Sequence, residues 1–104
     1  MKRVGFKMKL FPGKGEEYKR RHDEIWPELK TLLKEAGIRD YVIFFDEETG
    51  ILFGNLKLKI FNSYDQLPGN PVMKKWWDYM KDMMDTNPDN SPVSSSLKEM
   101  FYLE

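Results

Sequence analysis

An α+β fold, with a four-stranded antiparallel sheet carrying its helices on one face, is predicted by three features of this 104-residue sequence. Stretches with period-two alternation mark strands, two longer stretches with period 3.6 mark helices, and their order along the chain is β-α-β-β-α-β. A chain of this length forms one modest core, so a single domain over residues 1–104 is expected, with no room for a separate cofactor domain.

Val4, Phe6, Met8 and Leu10 alternate with Gly5, Lys7 and Lys9, which predicts a strand over residues 3–11 with one buried face and one lysine-lined face. Pro12-Gly13-Lys14-Gly15 breaks the chain, and Glu16-Glu17 stand where carboxylates favour a helix N-terminus. At 100° per residue Tyr18, His22, Ile25, Trp26, Leu29, Leu32, Leu33 and Ala36 fall on one stripe, predicting a helix that ends at the C-cap Gly37. Pro27 lies inside it. It cannot donate to the carbonyl of Asp23 and its ring crowds that turn, so the helix is expected to bend or open one turn after His22.

Tyr41-Val42-Ile43-Phe44-Phe45 is apolar on both faces, as a strand covered on each side must be. Asp46-Glu47-Glu48-Thr49-Gly50 forms a turn into a second strand, Ile51 to Ile60, giving an antiparallel hairpin. A second helix is predicted over 71–84, with Met73, Trp77, Met80 and Met84 on its stripe and Trp76 at the edge. Residues 86–96 read as a loop, and Lys98 to Leu103 as the last strand. This order is the split βαβ, or ferredoxin-like, arrangement. Phe11 and one side of the 41–45 strand put apolar groups on the sheet face away from the helices, so a homodimer packed sheet to sheet, a dimeric α+β barrel, is expected.

The 17 basic and 17 acidic side chains cancel and no basic block is longer than the three residues Lys19-Arg20-Arg21, which argues against nucleic acid or anionic membrane as a partner and leaves small neutral molecules. There is no cysteine, no stretch approaching the roughly 20 apolar residues of a membrane span, and no apolar run after Met1-Lys2-Arg3 to complete a signal peptide. A soluble cytoplasmic protein is expected. One histidine and no cysteine leave no set of soft ligands, so no metal and no cofactor are expected.

His22 is the only side chain with an ordinary pKa near neutrality, and it projects from the apolar stripe one turn after Tyr18. Such a histidine can be structural, bonded to a main-chain carbonyl, or it can be a proton-transfer group in a pocket beside the disturbed turn at Pro27. Trp76 and Trp77 point about 100° apart on a helix, so both cannot occupy the centre of one stripe. An indole freed from the core packs well on the C–H face of a sugar ring. Tyr18 and Tyr41 stand where the pattern would give aliphatic residues; a buried phenol needs a hydrogen-bond partner, which a polyhydroxylated ligand or a main-chain carbonyl could supply. Asn87-Pro88-Asp89-Asn90-Ser91-Pro92 is turn-forming on its own chemistry.

The segment Tyr18 to Leu29, the run Trp76-Trp77-Asp78-Tyr79-Met80, the loop Asn87 to Ser95 and the terminal Phe101-Tyr102-Leu103, in this order and at this length, resemble the L-rhamnose mutarotase family. Pro68-Gly69-Asn70-Pro71 departs from that pattern. The resemblance implies a dimeric α+β barrel isomerase that interconverts the α and β anomers of L-rhamnose without a cofactor. It puts the family's proton donor on His22 and its sugar contacts on Tyr18, Tyr41, Trp76 and Trp77. Two other uses of such a barrel are haem binding through a helical histidine and sugar binding without catalysis.

Overall fold

The computed structural model describes residues 1–104. Four strands, β1 (Lys2–Lys9), β2 (Ile38–Asp46), β3 (Ile51–Leu58) and β4 (Ser94–Leu97), form one sheet in the order β2-β3-β1-β4. Every neighbouring pair is antiparallel, so the sheet has the ferredoxin-like topology that the element order predicts. The helices are α1 (Gly15–Asp23), α2 (Pro27–Glu35) and α3 (Pro71–Met80), with 3-10 turns at Tyr64–Gly69 and Lys81–Met83.

The alternation in β1 and β3 fixes which face the helices cover. Met8, Leu10 and Leu52 pack with Tyr18 and Leu29 from the first two helices and Trp76 and Met80 from the third. A second cluster joins Leu56 and Leu58 of β3 to Ala36, Ile38 and Leu67. Gly54 lies on the same face, and its missing side chain is what admits the Phe6 ring, since a Cβ there would stand 2.4 Å from Phe6 Cζ. Phe6 in turn meets Tyr41 edge-on, with ring centroids 6.1 Å apart.

The bend expected near Pro27 is a full break. Trp26 adopts an extended conformation with ψ 134°, and Pro27 starts α2 at its first helical position. The proline ring disfavours helical geometry in the residue before it, while its missing N–H costs nothing at a helix start. α1 therefore stops at Asp23, and His22 sits in its last turn rather than mid-helix. The start of α3 is well made: Asn70 accepts a hydrogen bond from the Val72 N–H at 2.9 Å and Pro71 occupies the first turn.

Four other expectations need correction. β1 ends at Lys9, so Phe11 lies beyond it in the turn, its N–H bonded to the Met83 carbonyl. β3 ends at Leu58, leaving Ile60 84% exposed. The second helix proper closes at Met80, and Trp76 rather than Trp77 is its buried indole. The last strand is Ser94–Leu97, inside the predicted loop, while Lys98 to Leu103 is irregular. Serine has little intrinsic strand preference, but the edge of β1 offers it a ladder, with Gly5 opposite Leu97 and Met8 opposite Ser94.

Between Arg39 and Val42 the β2–β3 register slips by one residue, with Asp40 at φ 51°. Asp40 and Tyr41 together oppose Leu56, a β-bulge. Because side chains alternate with period two, the extra residue puts Tyr41, Ile43 and Phe45 on the helix-covered face and Val42 and Phe44 on the other.

Candidate functional site

Between the helices and the covered face of the sheet lies an open cleft of about 1650 Å³. Tyr18 and His22 of α1, Tyr41 of β2, and Trp76 and Trp77 of α3 all line it. The five residues singled out in the sequence thus come together on one wall system, from three elements distant in the chain. Ile43 and Phe45 add apolar surface, and Asn87, Asp89 and Ser91 contribute a polar rim.

The imidazole of His22 is held on three sides. Its Nδ1 lies 3.0 Å from the carbonyl oxygen of Tyr18, one turn earlier. A carbonyl only accepts, so Nδ1 carries the proton, and in the neutral ring Nε2 is left with a free lone pair. The Tyr18 ring stacks on the imidazole at 4.2 Å between centroids, and Trp76 meets it edge-on at 5.3 Å. Burial holds the pKa of His22 below its ordinary 6.5, against weaker upward pulls from the Tyr18 carbonyl and Asp23. The resting ring at neutral pH is uncharged. The carbonyl bond expected of a structural histidine is therefore present, and it fixes the ring while leaving the other nitrogen unbonded.

Tyr18 is buried, and desolvation pushes its phenol well above the usual range. Tyr41 is 40% accessible although protein surrounds it, as befits a side chain lining a deep open cleft, and desolvation again raises its phenol strongly. Both hydroxyls stay protonated at neutral pH and can donate to a ligand oxygen. The two indoles differ: Trp76 is 6% exposed, crossed by Trp26 at 5.1 Å and 88°, whereas Trp77 is half-buried. Trp76 presents an edge from the core, and Trp77 is the freer of the two.

The loop at Asn87–Pro92 is tied to itself. Asp89 Oδ1 accepts from both the N–H and the hydroxyl of Ser91, and Asn87 Nδ2 donates to Ser91 Oγ at 3.0 Å. Asn90, at φ 70°, makes the tight corner. The hydrogen bonds from Ser91 keep the Asp89 carboxyl below its usual pKa, so it is ionised. No group of three or more His, Cys, Asp or Glu side chains converges as a metal site would require.

The sequence model of the family described as L-rhamnose mutarotase matches residues 3–103. The chain belongs to the L-rhamnose mutarotase family. It is 58% identical to the L-rhamnose mutarotase of Flavobacterium johnsoniae over 102 residues, covering 98% of this chain and 95% of that one. The crystal structure of an L-rhamnose mutarotase from Formosa agariphila superposes with a TM-score of 0.94 at 52% identity over the full length of both chains. A dimeric ferredoxin-like protein from an uncultured marine organism shares the fold alone, with a TM-score of 0.56 and 14% identity over 97% of this chain and 96% of that one. Membership of the family favours anomer interconversion over haem ligation and over sugar binding without catalysis as the use of the cleft.

Two structural features beside the cleft gave little or no signal in the sequence. The bulge that turns Tyr41 inward has only Asp40 as a signal, a residue type that tolerates positive φ. The polar anchoring of α1 through Arg21 gave no signal at all, because a helical Arg beside acidic residues looks like solvated surface.

Proposed function

We propose that residues 1–104 act as one mutarotase domain, an isomerase that interconverts the α and β anomers of L-rhamnose, with His22 as the proton-transfer group and Tyr18, Tyr41, Trp76 and Trp77 as sugar contacts. The observation that carries this reading is the oriented, uncharged imidazole on the wall of an aromatic cleft, in a member of this family. Mutarotation needs the anomeric O1–H deprotonated, the bond from C1 to the ring oxygen O5 broken, and O5 protonated. Nε2 takes the O1 proton, the C1–O1 bond becomes a carbonyl as the electron pair of C1–O5 leaves with O5, and the imidazolium returns the proton to O5. Rotation about C1–C2 and the reverse sequence close the ring on its other face. Protons balance over the cycle, and one base suffices because O1 and O5 share a carbon.

The raised phenols of Tyr18 and Tyr41 suit them to donate hydrogen bonds to sugar oxygens rather than to act as bases. Indole and phenyl surface matches the C–H face and methyl group of a deoxyhexose. The direct test is saturation-transfer NMR on L-rhamnose with the purified protein. Anomer exchange should rise in proportion to protein concentration; binding of the sugar without such a rise would leave a non-catalytic binder.

The pH profile follows from the direction of the His22 shift. The active form is the neutral ring, so kcat/KM should be flat through neutral pH and fall in acid only as pH drops through the depressed value, below the ordinary 6.5. A profile that instead climbs as the pH falls below 6.5 would show that the imidazolium starts the reaction.

The assembly we propose is a homodimer. On the open sheet face Phe44 is 65% exposed, next to Phe53, and the adjoining row carries Val42 on the same edge strand and Leu97 on the opposite edge, β4. The tail adds Met100, Phe101, Tyr102 and Leu103, each at least 64% exposed. Apolar surface of this extent is costly in water, and a second copy of the same face removes it. Phe44→Glu should weaken association by about 30-fold or more, the effect expected of an interface anchor, seen as monomer by analytical ultracentrifugation. Unchanged sedimentation would mean that this face is not the interface. No helix is long and apolar enough to cross a membrane. The cysteine-free composition suits the cytoplasm, where we propose that the protein works.

A further inference from the structure

α1 is nine residues long with one buried side chain, Tyr18, and the break at Glu24–Trp26 separates it from α2. A helix this short has little stability of its own, so its position is set by whatever ties it to its neighbours. The main polar tie is Arg21, the residue before His22. Its side chain is only 12% exposed. Nη1 donates to the Tyr79 carbonyl at 2.7 Å and to Asp82 Oδ1 at 2.9 Å, Nη2 reaches Asp82 Oδ2 at 3.3 Å, and Nε donates to Glu17 at 2.8 Å. The guanidinium also lies 4.5 Å from the centroid of the Tyr79 ring.

We propose that Arg21 is a positioning residue for the reaction: it clamps the last turn of α1 to the end of α3 and so fixes the place of His22 against Trp76 on the cleft wall. The carbonyl it takes is in the last turn of α3, where main-chain acceptors run out of helical donors and a cation is favoured. The ring beneath it continues the contact inward, since Tyr79 lies 5.6 Å from Trp26 and 5.7 Å from Trp76, and Trp76 touches the imidazole. Arginine is suited to this because its planar fork bonds a carboxylate and a carbonyl together while stacking on an aromatic face; lysine offers one point charge. The remaining ion pairs of α1, from Lys19 and Arg20 to acidic residues of the same turn or its end, are exposed and internal to that segment, so they do not place it.

This inference rests on His22 being the proton-transfer group. The chain has a single histidine, so the imidazole gives one unambiguous NMR titration. In the full-length protein, Arg21→Ala should lower kcat by about 10- to 100-fold, the scale of a misplaced catalytic group, with a much smaller change in KM. The His22 titration should move up toward 6.5 as the loosened ring gains water. Arg21→Lys should restore the thermal midpoint more fully than kcat. If Arg21→Ala does not fold, Asp82→Ala, which removes the fork's principal anchor, should shift kcat and the titration in the same directions. A folded Arg21→Ala or Asp82→Ala protein with unchanged kcat and titration, or full recovery of kcat in Arg21→Lys, overturns the proposal. Unreduced exchange in His22→Ala would instead remove the underlying reading, whatever the Arg21 variants do.

Discussion

His22→Ala is expected to lower catalysed anomer exchange of L-rhamnose by about 10² to 10⁴-fold, the usual contribution of one positioned acid–base group. The cleft walls remain in this variant, because Tyr18, Trp76 and Tyr41 are held by the core and by β2 rather than by the imidazole. The sugar should therefore still bind, and the loss should fall on kcat. His22→Gln sharpens the test. Its amide can keep a bond to the Tyr18 carbonyl, now at 3.0 Å from Nδ1, but it cannot accept and return a proton. Loss of exchange in both variants, with sugar binding retained, isolates proton transfer as what the ring contributes. Because the reaction also proceeds in water alone, rates must be read against the protein-free background. Exchange in His22→Ala equal to the parent would remove the imidazole from the mechanism.

Much of the site was legible because it follows from side-chain chemistry along regular elements. A lone histidine and a tyrosine one turn apart on a helical stripe, and adjacent indoles that one stripe cannot bury, are visible from spacing alone, and α1 and α3 bring them together. The family resemblance attached roles to the same positions. Pro27 was equally readable, since its lack of an N–H acts locally. What was not readable depends on long-range pairing. Ser94–Leu97 is a strand only because β1 presents an unpaired edge. Met100 to Leu103 looks like a strand because its apolar residues suggest burial, yet nothing within the protomer covers them. The bulge at Asp40 is of the same kind: both faces of 41–45 are apolar, so the pattern cannot say which residues face the helices.

That ambiguity yields the second large effect. Asp40→Val favours strand geometry over φ 51°, and a regular ladder with residue 40 alone against Leu56 would move Tyr41, Ile43 and Phe45 to the open face and turn Val42 and Phe44 into the cleft. The hairpin turn at Asp46–Gly50 opposes this, because Phe45 is paired with Leu52 and Asp46 with Ile51 at its base. The strain should therefore collect between Arg39 and Ile43. Either way Tyr41 loses its place beside Phe6, and exchange should fall by about 10²-fold or more, as for a misplaced contact group. The control is Asp40→Gly. Glycine adopts φ 51° without the penalty of a Cβ, so it should keep the bulge, the cleft and the activity while losing only an exposed 3.6 Å pair with Lys57, worth about 1 kcal/mol at most. Asp40→Val, β-branched and ill-suited to that conformation, should destabilise the fold by about 1–3 kcal/mol in urea denaturation. Full activity in Asp40→Val would show that Tyr41 need not hold its place in the cleft, whereas loss of activity in Asp40→Gly would transfer the role from the backbone to the carboxylate.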